Sequence, residues 1–161
     1  MTFNLSDYEL MCELVPDGDK LRPSWDREFW AKKVLSKPRS IVYVITVGEA
    51  VYKIGMTGCN ASMIVNGYCK SDFLKDRAAH REVLAAAVAS GDAVRFYGYL
   101  VEMPPVEVTL PSGKVAEVRP RCGGELERDA IASYVSTHGE LPMGNHFEKA
   151  STGRRTACAE A

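Results

Sequence analysis

Apolar and polar positions change period several times along this chain, and each change marks an element. Residues 41–57, IVYVITVGEAVYKIGMT, form two apolar arms around a short Gly-Glu-Ala loop, the pattern of a β-hairpin. Residues 93–103, AVRFYGYLVEM, are rich in Val, Phe and Tyr and predict a further strand. Residues 106–120, VEVTLPSGKVAEVRP, alternate on either side of Pro-Ser-Gly-Lys and predict a second hairpin. Helical signals fill the rest. Ser6-Asp-Tyr-Glu9 has the form of a capping box, predicting a short helix ended by the turn-rich PDGDKLRP. A second helix is predicted over Asp26 to Leu35, with Trp25, Phe29 and Trp30 giving apolar contact. A short helix with a turn near Asn66-Gly67 follows the first hairpin. The alanine-rich stretch from Ser71 or Asp72 to Gly91 and the stretch from Gly123 to Gly139 complete the set.

Loop length decides which residues of the first hairpin share a face. A three-residue loop pairs Val47 with Val51 and Ile45 with Lys53, which puts Tyr43 and Lys53 on one face. A two-residue loop instead puts Tyr43 with Tyr52, and Lys53 with Val42 and Val44. An ionised lysine resists transfer into a core, so the three-residue loop is the better expectation. Tyr43 and Lys53 are then diagonal neighbours on a partly open surface, where a cation lowers the pKa of a phenol near ~10. The plainer alternative is a half-buried sheet tyrosine beside a lysine that snorkels to water.

The last helix adds a carboxylate. On a helical wheel Leu126, Ala130, Ile131, Tyr134 and His138 form one stripe, and Glu127 falls near its middle while Glu125 and Asp129 point away. A carboxylate on an apolar face needs a cation, hydrogen bonds or a metal. Acids also favour a first helical turn for the sake of the helix dipole. One carboxylate, with water and phosphate oxygens completing the shell, suits Mg²⁺.

Composition narrows the class. A chain of 161 residues is long enough for one domain with a hydrophobic core. A net charge of −1 excludes a protein that coats nucleic acid by charge alone, though not one with a local basic cleft. The 5 cysteines form no CxxC pair, and the 3 histidines make no zinc pattern with them. Reduced thiols, no membrane span and no secretion signal in MTFNLSDYEL together give the expectation of a cytoplasmic protein.

The residues in order resemble a known family. Tyr43 in "IVY", Lys-Ile-Gly at 53–55, Glu127 on a helix and Asn145 in "LPMGN" are similar to the signature of the GIY-YIG nuclease superfamily, in a branch where lysine replaces the second tyrosine. The resemblance spans residues 40–147. It implies an α+β fold, a small central antiparallel sheet flanked by helices, with an inserted β-hairpin. The domain layout would be an N-terminal helical extension over 1–39, a nuclease core over 40–147 with the hairpin inserted at 105–119, and a polar tail over 148–161. It further implies a divalent-metal-dependent endonuclease of restriction type acting on double-stranded DNA, with Mg²⁺ or Mn²⁺ as cofactor and a homodimer as the assembly. Tyr43 would be the general base, Lys53 would tune or orient, and Glu127 would hold the metal. Asn145 takes the place of the family's terminal asparagine.

One position departs from the pattern. The family carries an arginine eleven residues past the lysine, and here that place is Ile64. Arg77 or Arg81 reaching in from the next helix, Lys70 substituting, or a catalytically impaired DNA-binding or regulatory module are the three explanations. His80 lies three residues from Arg77 and could assist proton transfer or touch phosphate. Lys70, Arg81, Asn145, Arg119 and Arg121 are candidate DNA contacts.

Overall fold

The computed structural model describes residues 2–31, 40–70, 78–101, 104–118 and 123–146. Five apolar segments become strands: β1 (Glu9–Asp17), β2 (Lys20–Trp25), β3 (Ser40–Val47), β4 (Ala50–Thr57) and β5 (Val94–Val101). They pair in the order β2-β1-β5-β3-β4, and every neighbouring pair is antiparallel. Among the described residues, helices α1 (Arg27–Ala31), α2 (Ala61–Cys69), α3 (Ala78–Ala89) and α4 (Gly123–His138) flank the sheet. β6 (Val106–Thr109) and β7 (Val115–Val118) form a separate two-stranded ribbon between β5 and α4. The α+β class, the central antiparallel sheet, its flanking helices and the inserted hairpin are as the sequence implies.

The sheet is covered on both faces, which explains why β3 reads as a nearly unbroken apolar run. Ile41, Tyr43 and Ile45 join Met11, Leu14 and Phe96 beneath Ile64, Val65 and Tyr68 of α2 and Leu84 of α3. The alternate residues Val42 and Val44, with Ile54, meet Leu126, Ala130 and Ile131 of α4. Each such side chain contributes about 1.5–3 kcal/mol when fully buried, so the two clusters dominate the stability of the sheet. No helix among the described residues is long and apolar enough to cross a membrane.

The N-terminal helical extension is not what forms. Asn4 caps only a single 3₁₀ turn, Leu5–Asp7, and Glu9 already belongs to β1. Residues 9–25 are a β-hairpin of the main sheet, closed by Gly18-Asp19 with Gly18 at φ 63°. The physical reason is tertiary. As a strand, β1 pairs with β5 and places Met11, Cys12 and Leu14 in the core, a gain that outweighs the local capping signal. PDGDK, which looks like a helix stop, is the hairpin turn. Pro23 is tolerated because β2 is the sheet edge.

The remaining helices follow their local signals. Asp26 accepts from the backbone N–H groups of Glu28 and Phe29 and so starts α1, whose predicted continuation to Leu35 lies outside the described residues. Asn60 caps α2 by accepting from Met63 N–H at 2.7 Å, and α2 runs unbroken through Asn66-Gly67. α3 ends just before Gly91, at φ 89°, as predicted; its capped start lies outside the described residues.

Candidate functional site

The β3–β4 hairpin combines the two registers that the sequence allows. Next to the turn Val47 pairs with Ala50 and Thr46 with Val51, so the loop is the two-residue Gly48-Glu49, with Gly48 at φ 58°. Beyond it the register shifts by one, and Ile45 pairs with Lys53 and Tyr43 with Gly55. Tyr52 is the extra residue of a β-bulge. The bulge turns both Tyr52 and Lys53 toward the face that carries Tyr43. The pairing of Ile45 with Lys53 is as expected, while the three-residue loop is not. One inserted residue does what the longer loop would have done.

Tyr43 is only 3% exposed, and its ring lies directly over Gly55, where any Cβ would collide with the phenol. That close approach gives the glycine of Lys-Ile-Gly a steric reason. The Tyr43 hydroxyl is 2.9 Å from the hydroxyl of Tyr68 on α2. Tyr68 follows Ala61, Ile64 and Val65 on one helical stripe, one turn beyond the position where the resemblance expects arginine. Ile64 itself is 4% exposed and belongs to the core cluster.

Lys53 is 1% exposed, so it does not snorkel to water and its ammonium is held within the protein. His80 is buried too: its Nδ1 lies 2.8 Å from the Tyr52 hydroxyl, and its ring meets Tyr68 edge-on. His80 is therefore a core residue and not one at the surface. Burial pushes the Tyr52 phenol up to about 12, so this hydroxyl stays protonated at neutral pH. The result is a closed array of Tyr43, Tyr68, His80 and Tyr52 backed by Phe96.

Asn145, a candidate DNA contact, uses its side-chain amide on the backbone of β4. Its side-chain oxygen accepts from Ile54 N–H at 2.8 Å, and its amide nitrogen donates to Ile54 C=O at 2.7 Å. β4 is the other edge of the sheet, and Asn145 acts there as a one-residue substitute for a neighbouring strand. Gly144 permits this approach, because a Cβ there would meet Tyr52 and Lys53.

Glu127 is half-buried on α4, the helix that packs against β3 and β4. Among the described residues no group of three or more His, Cys, Asp and Glu side chains is placed to hold a metal ion. Lys70 is exposed at the end of α2, and Arg81 is half-buried on α3. Arg77, Arg119 and Arg121 lie outside the described residues. Cys12 and Cys69 are disfavoured as nucleophiles: burial pushes Cys69 up to about 11, partly offset by Lys70, and raises Cys12 as well.

Sequence reasoning missed Tyr52 and Tyr68. The signal for Tyr68 is present in the stripe of residues 61, 64, 65 and 68, whose last member carries a hydroxyl into an otherwise apolar face. Nothing in the sequence marks the bulge that turns Tyr52 inward.

No protein-family profile matches the chain, and no curated protein matches it. Solved structures do. A mutant of bacteriophage T4 EndoII superposes with a TM-score of 0.52 at 18% identity, covering 83% of this chain and 92% of that one. Restriction endonuclease HPY188I, in complex with product DNA, gives a TM-score of 0.47 at 20% identity, covering 86% of this chain and 80% of that one. At such identities the likeness is one of fold. The sheet, its flanking helices and the inserted hairpin define a GIY-YIG-like fold.

Proposed function

We infer that this chain is a DNA-binding or regulatory protein on a GIY-YIG-like scaffold whose hydrolytic centre is altered. The observation that carries the reading is at residue 64. Where the resemblance expects an arginine to steady the phosphate, Ile64 is packed into the core, and Tyr68 one turn later sets its hydroxyl against that of Tyr43. A general base buried against a neighbouring phenol in an aromatic array is poorly placed to activate a water on phosphate. DNA as the partner is supported by the motif resemblance. The test is titration of labelled duplex DNA in low salt, with plasmid incubated in Mg²⁺ or EDTA in parallel. Retention of the duplex, with supercoiled plasmid left intact in Mg²⁺, is the expected result. Failure to bind any duplex at low salt would overturn it.

A second reading, a metal-dependent restriction-type endonuclease working as a homodimer, is favoured by one observation. Tyr43 and Lys53 share a face, with the Tyr43 ring packed over Gly55 and Lys53 beside Gly144. Glu127 would then be the protein ligand for Mg²⁺ or Mn²⁺, with water and phosphate oxygens completing the shell. The bound metal would supply Lewis-acid stabilisation of the phosphate. Lys53 would favour the ionised form of Tyr43, and Arg77 or Arg81 would take the absent arginine's part. Plasmid cutting that needs Mg²⁺ and disappears in Glu127→Ala would select this reading over the first.

A further inference from the structure

A cleft of about 570 Å³ opens between the β1–β2 turn, the end of α2 and the outer side of α3. Three cations from those three elements line it: Lys20, Lys70 and Arg81. The Nη1 atom of Arg81 is buried and has no hydrogen-bond partner among the described residues. A buried guanidinium nitrogen without an acceptor is costly, and an oxyanion is the group that best removes the cost. Asp19 and Glu82 also line the cleft. Three cations against two carboxylates leave one positive charge, which suits a single phosphate rather than a polyphosphate. The cleft wall is otherwise apolar, with Leu21 and Val88 among its residues, and inorganic phosphate alone would leave that wall unused.

We propose that this cleft binds one nucleotide unit, with its phosphate held by Lys20, Lys70 and Arg81 and its sugar and base lying along the apolar wall. The volume falls within the range of small-ligand sites, roughly 300–1,000 Å³. Tyr68 lines the cleft and its hydroxyl also reaches Tyr43, so the bound unit lies beside the tyrosine array. The unit comes either from a nucleic-acid strand or from a free nucleotide. Only the first source rests on the DNA-binding reading.

Titration of the full chain with deoxyadenosine monophosphate, with a 5′-phosphorylated oligonucleotide and with phosphate-free deoxyadenosine tests this, followed by calorimetry and by amide shifts. Saturable binding of either phosphate-bearing probe is expected, weakened at least tenfold by Arg81→Gln and by Lys70→Gln. Lys70 is exposed, so its variant keeps the test valid if Arg81→Gln folds poorly. Binding of the oligonucleotide alone identifies a strand as the source, and binding of the mononucleotide alone identifies a free nucleotide. The proposal is overturned if neither probe binds, if deoxyadenosine binds as well as its monophosphate, or if both variants bind as wild type does. Duplex DNA retained equally by wild type and both variants, with neither phosphate-bearing probe bound, would remove the cleft but leave the DNA-binding reading standing. Mononucleotide binding with no DNA retained would do the reverse.

Discussion

The side-chain amide of Asn145 gives Ile54 the two hydrogen bonds that a further strand would have given it. Its replacement therefore removes both partners of buried backbone groups at once, and each orphaned group costs about 1–3 kcal/mol. Asn145→Ala is expected to lower the unfolding free energy by about 2–4 kcal/mol, read as a lower urea midpoint at unchanged slope. A loss under about 0.5 kcal/mol, within the range of an ordinary surface change, would show that water or backbone movement replaces the clamp. Tyr52 sets a pH dependence. Its folded-state pKa is raised to about 12 by burial, above the ordinary phenol value of 10.0. Between those values the unfolded chain has released the proton and the folded chain retains it. Tyr52 therefore contributes stability that is present below pH 10.0 and lost as pH rises toward about 12. Tyr52→Phe is expected to flatten that part of the alkaline stability profile, measured by denaturant titration at each pH. Cys69 contributes a slope of the same sign, from its ordinary 9.0 to about 11, so the variant should reduce the slope without abolishing it.

Elements were legible where pattern and packing agree. The run IVYVITV, the strand from Val94 to Val101 and the helix from Gly123 to His138 were all visible because burial on one or both faces writes itself into the period. Residues 9–25 were misread because Ser6-Asp-Tyr-Glu9 carries a local helix signal, and the reward for strand pairing comes from β5, over eighty residues away. Gly18-Asp19 between apolar arms was the available clue. In the site, the alliance of Tyr43 with Lys53 was readable, but the bulge at Tyr52 and the clamp by Asn145 arise from pairing partners that a linear sequence does not display. The inserted ribbon offers a test at this scale. Val106, Val108, Ala116 and Val118 line one of its faces, and Glu107 stands opposite Glu117 on the other. Directly opposed like charges disfavour contact with phosphates and weaken the ribbon itself. Replacing residues 105–118 with a short glycine-serine link is therefore expected to leave duplex-DNA affinity within about twofold and the urea midpoint nearly unchanged, since an isolated two-stranded ribbon adds little stability. A tenfold loss of DNA affinity would show that the ribbon grips DNA after all.

At the scale of the molecule, two helical layers hold one sheet, and the fate of any hydrolytic centre depends on which layer residue 64 faces. Ile64 sits on α2 at 4% exposure, in one cluster with Ile41, Tyr43 and Phe96, and Tyr68 follows one turn later on the same inward face. An arginine at this place would have to drive a guanidinium into that cluster or push Tyr68 aside. Burying an uncompensated charge costs about 3–5 kcal/mol, a large share of the ~5–15 kcal/mol that holds a domain together. Ile64→Arg is accordingly expected to destabilise the chain by several kcal/mol and to leave plasmid uncut in Mg²⁺, with denaturant melts and a cleavage assay as the paired readouts. A different outcome would be informative. If Ile64→Arg melts like wild type and nicks plasmid only when Mg²⁺ is present, α2 can turn that position toward the phosphate. The chain is then an impaired enzyme one substitution from activity. If the variant is unstable and silent while wild type still binds duplex DNA, the core has closed over the catalytic position, and the scaffold serves binding alone.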